Sequence, residues 1–499
     1  MIIASIIIVV YSIALLLIFV FALAQLNLLF NYLAATNTKS ETETSSAKDS
    51  DASFDWPMVT IQLPVYNELY VMERLLNNIV QLKYPKGLLE IQVLDDSTDE
   101  SVLSTSEHII ALQEQGYSIK HIRRENREGF KAGALKAGLE EAKGTFIAIF
   151  DADFLPHEDW LLESIPHFSD PNIGVVQTRW GHLNRDYSLL TRIQAFALDA
   201  HFTLEQVGRN SKGHFINFNG TAGIWRKTCI YDAGNWEGDT LTEDLDLSYR
   251  AQLKNWKFKY LEKVVTPAEL PIVISAARSQ QFRWNKGGAE NFQKLALRVL
   301  KDKKLSIKTK MHGVLHLLNS TMFLNVLIVA VLSIPMLYIK NEYAHLKNYF
   351  YMMSFFVISS VIFFICYWYM FKNSYGGGFK NFLKYIASFF LFFSIAMGFS
   401  LHNSLAVLEG HFRIKSDFIR TPKFNVGEKK DSWKNNKYLA KNLSGSLIIE
   451  GLLMLYFLFG MYSAFVVGNE GGDFGLFPFH LMLFFGFGYV FFSSLFSKS

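Results

Sequence analysis

Asp95-Asp96, Asp151-Ala152-Asp153, Thr242-Glu243-Asp244 and Gln280-Gln281-Phe282-Arg283-Trp284 stand in that order through the middle of the chain. Their residue types could do chemistry on a phosphorylated substrate. The carboxylates of Asp151 and Asp153 can reach a hard divalent cation, which takes oxygen ligands and also binds phosphates. A diphosphate leaving group gains negative charge as its bond breaks, and Mg²⁺ or Mn²⁺ would stabilise that charge as a Lewis acid. In Thr242-Glu243-Asp244-Leu245-Asp246, helical geometry sends Asp244 and Asp246 to nearly opposite sides. Asp246 can pair with Arg250 at i,i+4 as a routine surface contact. Asp244 is left as the candidate base for the proton of an acceptor hydroxyl. Gln280, Arg283 and Trp284 fall at i, i+3 and i+4 and so share a helix face. There Trp offers a flat surface to a sugar ring, and Arg a planar donor fork to a diphosphate.

Each cluster also has a plainer reading. Asp-Ala-Asp is a common solvated turn, Thr242 could cap a helix with acids in its first turn, and an Arg-Trp pair is often a packing contact. In fixed order the four supply a nucleotide grip, a metal clamp, a base and an acceptor platform.

These groups need a scaffold. β-rich runs at Val59–Leu63, Ile91–Leu94, Ile119–Ile122, Phe146–Phe150 and Gly174–Gln177 alternate with helical patterns at Met72–Gln81, Val102–Glu114 and Lys131–Ala142. Such alternation predicts an α/β domain, a mostly parallel sheet with helices on both faces. Ligands bind beyond the carboxyl ends of such strands, where both Asp95-Asp96 and Asp151-Ala152-Asp153 fall.

The 499 residues leave room for about two or three units. Half the chain is apolar and 45 residues are Phe, mostly towards the two ends, which predicts a membrane portion. The net charge of +4 is too small to imply nucleic acid. Cys229 and Cys366 cannot form a disulfide framework, so a reducing compartment suits the soluble part.

The expected division is a transmembrane anchor at 1–33, a flexible linker at 34–55 and a catalytic domain at 56–290. A basic amphipathic interfacial helix at 291–313 follows, then a membrane domain at 314–499. The anchor lacks a basic start and is too long for a signal peptide. Asn291–Gly313 carries seven Lys/Arg against one acid, with Phe292, Leu295, Ala296 and Val299 at helical spacing, which suits a membrane surface. In the membrane domain, Val314–Ile339, Asn348–Phe371, Ser446–Val467 and Phe474–Phe496 can each span. Between Gly410 and Ser444 lie nine Lys/Arg and three acids, and short basic loops stay cytoplasmic. Sharing that side with the catalytic domain requires 378–409 to lie in the interface, leaving five spanning helices in all.

The chain resembles a family-two glycosyltransferase of the cellulose-synthase-like group. It is most similar to the mannan/glucomannan synthase and xyloglucan-backbone synthase branch. The matches are Leu63-Pro64-Val65-Tyr66-Asn67-Glu68, Val93-Leu94-Asp95-Asp96-Ser97-Thr98-Asp99, Gly129-Phe130-Lys131-Ala132-Gly133-Ala134-Leu135, Phe150-Asp151-Ala152-Asp153-Phe154, Phe218-Asn219-Gly220-Thr221-Ala222-Gly223 and Gln280-Gln281-Phe282-Arg283-Trp284. The resemblance implies a GT-A-like fold. Tyr66, Glu68, Asp95 and Asp96 would hold the nucleoside, with Asp95 and Asp96 counted with the catalytic residues. Lys131 and Arg283 would serve the diphosphate, Asp151 and Asp153 the sugar nucleotide and Mg²⁺ or Mn²⁺, and Asp244 would be the base of an inverting transfer. Phe218, Asn219, Gly220, Gln280 and Trp284 would border the acceptor. Phe418, Thr421 and Lys423 belong to a segment resembling the family's gating loop, with Arg420 where cellulose synthases carry Val.

The implied activity is transfer of a hexose from a UDP- or GDP-sugar to a growing β-linked polysaccharide, with export through a multi-pass protein of the cell (inner) membrane whose catalytic domain is cytosolic. A non-processive enzyme adding one sugar to a membrane lipid is the alternative.

Overall fold

The structure is a computed structural model that describes residues 2–42, 55–416, 418–427, 431, 436–438, 445–468 and 471–496. Most of the expected linker (43–54), Lys429, Lys430, Lys434 and Lys441 of the basic loop, and Asn469 lie outside the described residues.

A 7-stranded sheet organises the central domain, with strands β1 (Val59–Val65), β2 (Leu89–Asp95), β3 (Ile119–Ile122), β4 (Phe146–Ile149), β5 (Ile173–His182), β6 (Gly223–Arg226) and β7 (Lys257–Ala268). Their order is β3-β2-β1-β4-β6-β5-β7, and only β6 runs antiparallel to its neighbours. Alternation along each strand serves both faces of the sheet. Ile61, Leu63 and Val93 pack with Leu75, Leu76 and Ile109 from the helices Met72–Ile79 and Ser101–Glu114. On the other face Leu94, Ile147 and Ile149 meet Leu135 and Leu139 of the helix Phe130–Glu141. The buried amides Gln62 and Gln92 bond across β1 and β2 at 3.0 Å, fixing the pairing of Gln62 with Gln92. The expected α/β class is therefore present. β6 and β7 were not foreseen, β6 because four residues in a Gly- and Asn-containing segment give no period to read.

The expected interfacial helix is not a separate element. A 28-residue helix, Ile274–Lys301, runs through the expected boundary at 290/291, and a second helix, Ile307–Leu317, begins after a short break. Leu295, Ala296 and Val299 pack with Phe215, Tyr249 and Leu317, so the stripe expected to meet lipid is claimed by the catalytic domain. A different set, Leu297, Leu300, Ile307 and Met311, is exposed among Arg298, Lys301, Lys303, Lys304, Lys308 and Lys310.

Among the described residues, six helices are long and apolar enough to cross a membrane: Ile2–Thr36, Asn319–Glu342, Ala344–Tyr375, Phe379–Gly398, Leu447–Val466 and Phe477–Phe496. The fourth falls in the expected interfacial segment, which continues as a second helix, Ser400–His411. Phe379–Gly398 lies along the catalytic-domain helix Leu189–Ala200. Phe392 stands 5.3 Å and Tyr385 6.4 Å from Phe196, while Ile395 packs with Leu190 and Ile193.

One buried ion pair ties the two parts together. Arg278, two residues before Gln280, bonds Glu450 at 2.8 and 2.5 Å, with Ser494 at 3.0 Å. Glu450 is fully buried, so its partner cannot be replaced by water. Glu450→Ala should cost about 3–5 kcal/mol, as expected for a buried charge stripped of its partner. The double variant Arg278→Met/Glu450→Leu should recover most of that loss. Thermal unfolding in detergent compares them, and equal damage in both variants would mean the pair is not the tie.

Candidate active site

The ends of β1, β2 and β4 converge on one cavity, as strand-end geometry requires. Its walls include Tyr66, Glu68, Asp96, Lys131, Asp151, Asp153, Asn219, Gly220, Asp244, Gln280, Arg283, Trp284, Phe418, Thr421 and Lys423. Two expected site residues are not in those walls. Asp95 turns inward, accepting from the Ser97 backbone N–H at 2.8 Å and pairing with His121 at 2.9 Å. Phe218 is fully buried against Trp225, at 5.5 Å between rings. Both stand behind the cavity wall, as supports.

The carboxylates do not stand alone. Arg124 reaches Asp96 through Nε at 3.0 Å, Lys131 meets Asp151 at 2.5 Å, Lys423 meets Asp153 at 2.8 Å and Arg420 meets Glu68 at 2.6 Å. Burial still pushes Glu68 up to about 7 against the opposing charge of Arg420. The Arg127 guanidinium lies 3.4 Å over the Tyr66 ring, and Phe418 stacks on Phe130 at 5.4 Å. Arg420 and Arg127 were not foreseen as site residues. Arg420 had a signal, its place inside the loop motif. Arg127 had none, because a cation–π contact across 61 residues has no local pattern.

Lys131 also donates to the Gly220 carbonyl at 2.8 Å. Gly220 has φ +80, and a Cβ there would come within 3.1 Å of Asp244 Oδ2. Glycine is needed for both reasons.

The helix Glu243–Leu253 separates its acids as the helix-face argument required. Asp244 lines the cavity, and burial together with the charge of Glu243 pushes its carboxyl up to about 7, against Lys131. Asp246 lies on the other side, but its pair is no surface contact. Asp246 is fully buried, Arg250 nearly so, and Lys294 adds a third charge at 3.0 Å. Thr242, which could have capped this helix, makes no side-chain cap and instead accepts from Asn291 at 2.9 Å.

Asp151 and Asp153 suit a divalent cation. Asp153 Oδ1 is buried with no hydrogen-bond partner among the described residues, beside the half-buried Asp151, and a buried oxygen left so calls for a cation or donor. A separate acidic group, Glu237, Asp239 and Asp246, is already gathered on the Lys294 ammonium at 2.7, 2.7 and 3.0 Å.

Residues 57–287 match the family model described as glycosyltransferase like family 2. The central domain is a family-two glycosyltransferase domain. A rice protein (Oryza sativa subsp. japonica) named "Probable glucomannan 4-beta-mannosyltransferase 7" is 44% identical over 263 residues, 52% of this chain and 45% of its own length. Glucomannan 4-beta-mannosyltransferase 9 of Arabidopsis thaliana is 42% identical over 262 residues, 52% of this chain and 49% of its own. The chain thus spans about half the length of the curated relatives it matches. Among solved structures, the mannosyltransferase PcManGT from Pyrobaculum calidifontis, in complex with GDP-Man and Mn²⁺, covers 80% of this chain and 100% of its own at TM-score 0.48 and 18% identity. The family-two domain has the GT-A-like sheet expected of it.

Asp244→Asn should lower transfer by about 10²–10⁴-fold, the usual loss for a positioned base, with donor affinity little changed. Because a base works deprotonated, wild-type kcat/KM should fall as pH drops below about 7, and Asp244→Asn should lose that limb. Asp246→Asn should instead cost about 3–5 kcal/mol of stability, the scale for a broken buried pair. A dead but stable Asp246→Asn beside an active Asp244→Asn would mean that the helix-face assignment is reversed.

Proposed function

We propose that this chain is a membrane-embedded inverting hexosyltransferase. It would transfer a hexose from a UDP- or GDP-sugar to a growing β-linked glycan and pass the product between its membrane helices. The observation that carries this reading is a pair of adjoining spaces. Gln280 and Trp284 line the acidic cavity and also a second chamber of 420 Å³, whose other walls include Phe21, Gln25, Phe323, Phe363 and Tyr367 from membrane-type helices. The acidic cavity and the chamber thus share three side chains, Leu198 being the third. The glucomannan names of the relatives favour a polymer, and the largely apolar chamber also leaves room for the glycolipid reading.

In this reading Tyr66, Glu68 and Asp96 hold the nucleoside, and Lys131 and Arg283 face the diphosphate. Asp151 and Asp153 would hold Mg²⁺ or Mn²⁺, which when bound supplies Lewis-acid stabilisation of the leaving diphosphate. Asp244 takes the proton from the acceptor hydroxyl as it attacks, and Trp284 supports the acceptor ring. The loop carrying Phe418, Arg420, Thr421 and Lys423 fills much of the space. What remains is 180 Å³, below the roughly 300–1,000 Å³ of small-molecule sites. Donor entry therefore requires these side chains to withdraw.

The same loop supports a topology. Arg420, Thr421 and Lys423 touch Glu68, Arg283 and Asp153. The loop and the catalytic domain must then share one side of the membrane, cytosolic by the basic-loop rule. Asn319–Glu342 leaves that side and Ala344–Tyr375 returns, so Phe379–Gly398 lies in the interface and five helices span. The exposed apolar side chains from Leu297 to Met311, set among cations, suit an anionic lipid surface.

Three measurements test these points. Protein purified into lipid and offered a panel of UDP- and GDP-hexoses should consume one class and yield a product that lengthens with time. A single-sugar lipid product would decide for the glycolipid enzyme. Asp151→Ala/Asp153→Ala should abolish the part of donor binding that chelator removes, and unchanged chelator-sensitive binding would reduce these residues to a turn. Single cysteines at Lys415 and Gly471 should label from opposite faces, Lys415 from the side of the catalytic domain, and labelling of Lys415 from the outer face would overturn the five-span arrangement.

A further inference from the structure

His182 closes β5 beside the cavity and belongs to none of the clusters above. Its ring is almost wholly buried, and Nε2 lies 3.2 Å from Asp199 Oδ1 on the helix Leu189–Ala200. Asp199 is itself 1% exposed and faces two guanidiniums, Arg179 at 3.5 Å and Arg185 at its other oxygen. Burial opposes ionisation of Asp199, but the His182 bond and the two arginines outweigh it and hold the carboxyl low. An ionised carboxylate only accepts, so the bond is an Nε2–H donated by His182. The other ring nitrogen, Nδ1, has no hydrogen-bond partner among the described residues. Two residues earlier, on the same strand face, Trp180 also lines the cavity. Its indole N–H is buried without a partner among the described residues.

A ring nitrogen and an indole N–H on one strand face, each without a partner among the described residues, suit a group that can both donate and accept. A sugar hydroxyl is such a group. Its place in the fold selects the donor hexose. The nucleoside residues Tyr66 and Asp96 follow β1 and β2, whereas β5 lies beyond β4. The Trp180 ring is 5.0 Å from Phe154, which directly follows Asp153. Leu198, next to Asp199, lines both the cavity and the chamber shared with Trp284. The dyad thus stands between the Asp153 turn and the acceptor junction.

We infer that His182, oriented by Asp199 and flanked by Trp180, is a hexose-reading site that takes a ring hydroxyl of the donor sugar and sets which epimer is transferred. This rests on the glycosyltransferase reading proposed above. Asp199 acts through His182 and is a positioning residue.

The test compares wild type with His182→Ala, His182→Gln and Asp199→Asn, each in lipid. Dissociation constants are measured for the preferred sugar nucleotide and for its free nucleoside diphosphate, and kcat/KM for donors differing at one hydroxyl. His182→Ala should bind the free diphosphate as wild type does but lose about 10-fold or more in epimer preference, the scale of one lost buried contact. His182→Gln, whose amide oxygen can accept, should recover part of that preference, and Asp199→Asn should lose part of it. An unchanged epimer ratio in His182→Ala overturns the site. So does equal weakening of sugar nucleotide and free diphosphate, which marks a structural role, and so does a loss confined to acceptor KM. If wild-type protein bound no nucleotide sugar at all, the underlying reading would fail first.

Discussion

Carboxylates crowded at strand ends in one small cavity cannot stay charged without cations, and the architecture follows from how those cations are supplied. Asp96 is met by Arg124, which follows β3, and Asp151 by Lys131 on the helix Phe130–Glu141. Asp153 and Glu68 are met by Lys423 and Arg420 from a loop more than 250 residues away in sequence. Removing one partner of a buried pair typically costs about 3–5 kcal/mol. The loop is therefore seated in the cavity by its ion pairs with Glu68 and Asp153. Glu269 reinforces the seat by accepting from the backbone of Phe424 at 2.7 Å while paired to Arg74.

That constraint also explains why the membrane helices and the catalytic domain act as one object. The helix Ile274–Lys301 carries Arg283 and Trp284 into the cavity. Its start is pinned to the last two membrane-type helices through Arg278, Glu450 and Ser494. Asn403 adds a bond to Gln281 at 2.8 Å from the helix Ser400–His411. A shift of these helices would move Gln280, Arg283 and Trp284 directly. The chemistry is placed by long-range contacts, while the sheet only presents the strand ends.

Much of this was legible in the sequence, for reasons that can be named. The first strands and their helices announce themselves through period-2 and period-3.6 patterns, and strand-end aspartates land in the cavity because sheet geometry puts them there. The split between Asp244 and Asp246 was legible because a helix fixes the direction of each residue. What was missed depends on burial and distance. The Asp246–Arg250 pair looked like an exposed i,i+4 contact because spacing carries no information about depth. The stripe Leu295, Ala296 and Val299 looked lipid-facing because a basic amphipathic pattern does not say which apolar surface it meets. Asp95 and Asp96 are adjacent and chemically equal, yet pleating sends one inward to His121 and the other to the cavity. Arg127 over Tyr66 and the His182–Asp199 dyad exist only once the chain has folded.

The central claim is that this one acidic cavity binds an activated sugar. Calorimetric titration of the purified protein in lipid with UDP- and GDP-hexoses tests it most directly, with Asp96→Ala as the comparison. Saturable binding of one nucleotide class by wild type, lost or greatly weakened in Asp96→Ala, is the predicted result. Folded wild-type protein that binds neither class, or Asp96→Ala that binds as wild type does, would contradict the account.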